Sequence, residues 1–112
     1  MPCHARFEDH SPLAIRLSRR AWAILADGCA LHEYGELAPR LGPGIGPRVV
    51  SDFLSPIQSY CAEHGLPPLQ ALVVNKATRR PGGGYTGDRT KRGHLRDLKR
   101  VRAYAWAKQA PY

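Results

Sequence analysis

Apolar residues recur at helical spacing in three stretches of the chain. Leu13, Leu17, Ala21, Ile24 and Leu25 form the first stripe. Ser11-Pro12 stands just before it, a capping serine with proline at the first helical position, so the pattern predicts a helix from Pro12 to Cys29. His32 to Gly42 predicts a short helix, kinked by Pro39 and stopped by Gly42. Val50, Phe53, Leu54, Ile57, Cys61 and His64 share a third stripe, interrupted by Pro56. Ser55-Pro56-Ile57-Gln58 has the form of a capping box, which predicts two nearly collinear helices over 47–54 and 56–64, the second ended by Gly65.

Beyond Gly65 the periodicity changes. Leu69 to Lys76 has a β-branched centre and predicts a strand. Thr78 to Gly84 reads as a turn rich in glycine and arginine, with Tyr85-Thr86 as a returning strand. Lys91 to Arg102 predicts a basic helix with Leu95, Leu98 and Val101 inward, and Tyr104-Ala105-Trp106 should pack back on the core. Residues 1–10 read as a flexible N-terminal arm and residues 11–112 as a single domain. The order of elements predicts an α+β fold of winged helix-turn-helix type, with three to five helices and a short β-hairpin wing.

Charge sharpens this picture. The 112 residues carry a net charge of +8. Residues 1–78 hold seven basic and seven acidic side chains, whereas residues 79–112 hold ten and two, so the last third carries the whole excess. Such a surface suits a polyanion, because neutralised phosphates release condensed counterions. The basic stretch has no wide apolar face, so a membrane is not an expected partner. No apolar run approaches the roughly 20 residues of a membrane span. Three widely spaced cysteines suggest no disulfide framework, and a cytoplasmic setting is expected.

Tyr34-Gly35-Glu36-Leu37-Ala38 resembles the DNA-binding domain of the O6-alkylguanine-DNA alkyltransferases and alkyltransferase-like proteins. Those families follow a Tyr-Gly-x-(Ile/Leu)-Ala helix with a small-residue turn and a helix bearing Arg before an apolar pair. Pro47-Arg48-Val49-Val50 stands at that place here. Leu66 to Val74 and Gly83-Gly84-Tyr85 lie in the order of the families' Pro-Cys-His-Arg-Val-Val and Gly-Gly-Tyr motifs. The resemblance spans residues 32–85. It implies that Tyr34 presses on the phosphate of a rotated nucleotide and that Arg48 fills the space of a flipped base. Aligning the Val-Val pairs puts Gln70 where the families carry the acceptor cysteine. Alkyl acceptance needs a thiolate, so that chemistry is not expected. The chain is also similar to small bacterial and phage proteins, a similarity that implies no function.

The expected function is therefore non-catalytic binding of double-stranded DNA, with no cofactor, metal or catalytic residue. The candidate contacts are Tyr34, Arg48, Ser51, Lys76, Arg79, Arg80, Tyr85, Arg89, Lys91 and Arg92. Each has a plainer reading: Tyr34 as a core aromatic, Arg48 as an exposed helix-start residue, Arg79 and Arg80 as a surface turn. Trp22 and Trp106 read as core residues, though either would serve as a stacking platform. Cys29-x-x-His32 and Cys61-x-x-His64 have zinc-like spacing but lack two-cysteine knuckles, and Cys61 falls on an apolar stripe. Tyr85-Thr86-Gly87 resembles half of a GIY-YIG nuclease motif, without the other half or a following glutamate. Two alternatives from other classes stay open. One is an inhibitor or adaptor that sets the basic face on a protein or ribonucleoprotein. The other is a small metal-dependent nuclease using His64 or His94 with Asp88.

Overall fold

The computed structural model describes residues 6–82, 85 and 89–112. Four α-helices and one two-stranded parallel sheet make up the fold: α1 (Pro12–Ala26), β1 (His32–Glu33), α2 (Tyr34–Leu41), α3 (Val50–Glu63), β2 (Val73–Val74) and α4 (Lys91–Ala103). Short 3-10 turns cover Phe7–Asp9, Pro47–Val49 and Leu69–Leu72.

The first helix begins as its sequence dictates. Ser11 Oγ accepts from the Ala14 N–H at 3.1 Å, and Pro12 holds the first helical position. Leu17, Ala21, Trp22 and Leu25 turn inward, but Leu13 is half exposed (51%). The helix ends at Ala26 rather than Cys29, because Gly28 (φ 78°) and Cys29 (φ 50°) take left-handed backbone. Helix α4 starts on a cap of the same kind, the Thr90 hydroxyl accepting from the Gly93 N–H at 3.1 Å. Removing either hydroxyl, by S11A or T90A, should lower stability by about 1 kcal/mol, read as a shift in the urea midpoint with unchanged slope.

Pro39 and Pro56 both lie inside helices. The two helices predicted over 47–54 and 56–64 are one, α3, preceded by the 3-10 turn. Ser55 is no cap there: its hydroxyl donates to the Ser51 carbonyl at 2.9 Å. Val50, Leu54, Ile57 and Cys61 are at most 5% exposed and sit on both sides of the proline. Breaking the helix would split that buried stripe, which outweighs one missing backbone bond. His64, expected on the stripe, is exposed and stacks on Tyr60 at 4.0 Å. Gly65 ends the helix in left-handed backbone (φ 65°), with the Leu66 N–H donating to the Cys61 carbonyl at 2.8 Å.

The strand expected over 69–76 is corrected to two residues. Leu69, Gln70, Ala71 and Leu72 are all buried, so the segment has no solvent face to alternate with. It winds as a 3-10 turn between α1, α3 and α4. Backbone pairing begins only where β1 offers an edge, with His32 opposite Val73 and Glu33 opposite Val74 in parallel register. The chain then turns at 75–80, the Asn75 N–H donating to the Arg80 carbonyl at 2.9 Å. Among the described residues no antiparallel hairpin follows. Gly83, Gly84 and Thr86 of the expected wing, and Asp88, lie outside the described residues.

Most of the C-terminal expectations hold, with two exceptions. Leu98 and Val101 are buried, but Leu95 is 56% exposed. His94 and Asp97 take inward positions instead, the His94 Nε2–H donating to the Ala71 carbonyl at 2.8 Å. Trp106 packs edge-on against Trp22 and donates to the Val101 carbonyl, while Tyr104 stays exposed. Residues 6–10, expected to be a loose arm, are docked. The Phe7 ring contacts Tyr60 and Tyr112, and the Phe7 N–H donates to Glu63.

Candidate nucleic-acid interface

Three of the ten nominated residues meet at one cavity, although they come from three separate parts of the chain. Tyr34 opens α2, Ser51 lies in the first turn of α3, and Tyr85 follows the glycine-rich loop. Together with Leu54, Ser55, Gln58 and Gln70 they line a recess in which about 20 Å³ is open to a water-sized group. The Tyr34 hydroxyl accepts the Gly82 N–H at 3.0 Å. A side chain at Gly82 would set its Cβ 3.1 Å from that oxygen, so the glycine is what lets loop and helix close on each other. Gln70, expected at the place of the acceptor cysteine, is one of the lining residues, and its Nε2 donates to Gln58 Oε1 at 3.3 Å.

Tyr85 belongs to the core rather than the surface. It is 8% exposed, and its hydroxyl donates to Asp97 Oδ2 at 2.6 Å. Burial, reinforced by Asp97, holds this phenol well above its ordinary pKa. Burial likewise pushes Tyr112 up to about 12 against the opposing pull of the Ser18 hydrogen bond. Both phenols stay neutral in the folded state at a pH where the unfolded chain ionises them. Their contribution to stability is therefore complete below pH 10 and is lost as pH climbs from 10 toward 12. Thermal melts at pH 9, 10 and 11 should show this fall; a flat profile over that range would contradict it.

The basic residues divide into two groups. Arg80 and Arg89 flank a groove of about 480 Å³ whose other walls include Asn75, Thr78 and Thr90. Arg80 Nη1 donates to the Arg89 carbonyl at 3.5 Å, which holds the two arginines side by side. Arg80 also borders an adjoining recess with Arg79, Lys91 and Leu95. Lys91 and Arg92 occupy the exposed first turn of α4, which contains no acidic residue. Arg79 differs. It takes left-handed backbone (φ 57°), and its Nη1 donates to Glu33 Oε2 at 2.8 Å, so its charge is already answered. Arg48 and Lys76 are exposed, Arg48 in the 3-10 turn that leads into α3 and Lys76 in the turn after β2.

Of the residues considered for metal chemistry, His94 lines the recess beside Lys91, whereas Cys61 and His64 line none of these recesses. Cys61 is buried, and burial pushes its thiol up to about 11, which disfavours the thiolate that a metal needs. His64 Nδ1 lies 2.9 Å from the Tyr60 carbonyl. Among the described residues, no group of three or more His, Cys, Asp or Glu side chains is close enough to hold a metal ion. Trp22 is 2% exposed, so its face is not open to a base. No helix among the described residues is long and apolar enough to cross a membrane.

Sequence reasoning missed the Gln58–Gln70 pair, the Thr90 cap and the Tyr85–Asp97 bond. The one available signal was Gln58, a polar residue next to the buried positions of α3. Compared with protein-family models, curated proteins and solved structures, the chain matches none.

Proposed function

We propose that this domain binds double-stranded DNA without chemistry, in the manner of a winged helix. In this reading α2 and α3 form the helix-turn-helix, α3 approaches a groove by its N-terminal end, and the segment from Lys76 to Arg92 contacts the backbone in the place of a wing. The observation that carries the reading is the grouping of Arg80, Arg89 and Lys91 around two adjoining recesses, with half-buried Tyr34 and Ser51 at a third.

Electrostatics favours an anion at the start of α4. A helix N-terminus carries partial positive charge, and here it bears Lys91 and Arg92 rather than acids. That arrangement is mildly unfavourable in the free domain and becomes favourable when a phosphate lies against it. The closing turn, with Arg100 and Arg102, has the opposite and stabilising match. Arg48 is exposed ahead of α3, where an extended guanidinium can enter a distorted stack.

This assignment separates Arg48 from the phosphate contacts. Extruding a base costs a few kcal/mol, and a side chain in its place offsets part of that. Arg48→Ala should therefore weaken binding to a duplex with a mismatched or unpaired base about tenfold, and binding to a fully paired duplex much less. Anisotropy titrations on both duplexes check it. An equal loss on both would make Arg48 an ordinary phosphate contact and remove base displacement from the proposal.

A further inference from the structure

Basic and acidic side chains balance over residues 1–78 in the sequence but not in space. Arg16, Arg19, Arg20 and Ala23 of α1 form one wall of a groove of about 490 Å³, and Lys108, Gln109 and Ala110 of the chain end form the other. The second wall is fixed at both ends. The Trp22 indole N–H donates to the Ala107 carbonyl at 2.9 Å, and the Ser18 and Tyr112 hydroxyls are hydrogen-bonded at 2.8 Å, so the segment between is pinned to α1. The groove shares no lining residue with the recesses around Arg80, Arg89 and Lys91.

The fold does not answer the arginine charges here. Arg16 and Arg19 are exposed and make no ion pair among the described residues. Arg20 is bonded to the uncharged Leu41 carbonyl at the end of α2, and Lys108 lies 3.6 Å from Asp27. Arg16 stands three and four residues before Arg19 and Arg20, which makes them neighbours on the helix, and like charges so placed repel. An anion laid along the row relieves that repulsion.

The lining also selects the kind of anion. Guanidinium groups pair in bidentate fashion with phosphate oxygens. A protein partner is held chiefly by large side chains seated in its interface. The exposed large apolar residues among those described, Leu13, Val49, Leu95 and Tyr104, line no part of this groove. A sugar-phosphate backbone needs no such anchor.

We infer that the groove between α1 and the chain end holds the phosphate backbone of a second duplex, so that one domain joins two duplexes. The inference rests on the DNA-binding reading and adds a second surface to it. Arg16, Arg19 and Arg20 supply three contacts and a salt slope of about −2.7, fewer than the loop and α4 offer, so the groove is the weaker site.

The test fixes an unlabelled duplex of about 20 base pairs to beads, binds the full chain to it at low salt, washes away unbound protein and adds a labelled duplex of the same length. The wild-type chain should capture the labelled duplex. Arg16→Gln combined with Arg19→Gln, at exposed positions where glutamine is about as good a helix former as arginine, should lower capture about tenfold or more. Affinity for a single duplex, read by anisotropy, should change less than about threefold, since the other surface holds it. A wild-type chain that binds the first duplex and captures no second overturns the inference and leaves DNA binding intact, whether or not the variant folds. Capture that survives the double substitution also overturns it, because pairing of two chains would then join the duplexes. Capture of labelled polyglutamate in place of the duplex would assign the groove to an acidic protein and overturn it as well. Failure to bind any duplex overturns the DNA reading and the inference together.

Discussion

Exchanging Arg80, Arg89 and Lys91 for glutamate should lower duplex affinity by about a hundredfold or more near 0.1 M salt and flatten the salt dependence by about three. The three side chains are chosen because the structure groups them around adjoining grooves and shows none of them in an ion pair among the described residues. Arg79 would be the obvious choice from the sequence, since it stands beside Arg80. Its bond to Glu33 argues against it: reversing that charge would set two carboxylates together and confuse folding with binding. Arg89 and Lys91 are exposed and Arg80 is only partly covered, so the triple variant should melt within a few degrees of the wild type. An affinity that changes by less than about threefold would remove this face from the interface.

The largest effect on stability is expected at Trp22. It is 2% exposed, its indole N–H donates to the Ala107 carbonyl at 2.9 Å, and its ring meets Tyr60, Trp106 and Tyr112 edge-on. One side chain thus joins α1 to α3 and to the chain end after α4. Trp22→Ala leaves a large cavity and an unanswered carbonyl, at a cost of about 3–5 kcal/mol. A domain of this size gains or loses roughly 4 °C in melting temperature per kcal/mol, so the midpoint should fall by about 12–20 °C. Leu13→Ala, at a half-exposed position of the same helix, is the control and should cost well under 1 kcal/mol. Similar small shifts in both variants would mean that the aromatic cluster does not hold the C-terminal segment.

Why some elements were legible in the sequence and others were not follows from where each signal resides. Helix α1 was readable because Ser11, Pro12 and the apolar stripe are local and agree with one another. The start of α3 was misread because a serine before a proline has the same letters as a cap, and only burial on both sides of Pro56 decides for continuity. Leu69–Lys76 looked like a strand because β-branched residues fit a pleat. Strand extent depends on a partner edge, and β1 supplies only two residues of it. Leu95 and His94 exchanged their expected places because the Ala71 carbonyl offers a buried acceptor to an imidazole N–H, which no periodicity encodes.

The candidate site was legible as a list of residue types but not as a geometry. The charge asymmetry nominated Arg80, Arg89, Lys91 and Arg92, of which the structure leaves the last three exposed and Arg80 partly covered. It also nominated Arg79, whose partner Glu33 lies 46 residues away in sequence. Tyr85 was nominated as a contact and is instead bonded to Asp97 in the core. Gln70 was noticed only as the residue standing where a cysteine would be needed. Its amide nitrogen donates to Gln58 of α3, twelve residues earlier.

The central claim is that this basic surface holds duplex DNA by its phosphates, and fluorescence anisotropy of the purified chain with a labelled 20-mer duplex tests it most directly. Titrations at several salt concentrations should give a logarithm of affinity that falls linearly with log salt. Lys76, Arg80, Arg89, Lys91 and Arg92 together would give a slope of roughly −4.5. No binding at the lowest salt, or an affinity indifferent to salt, would contradict the account.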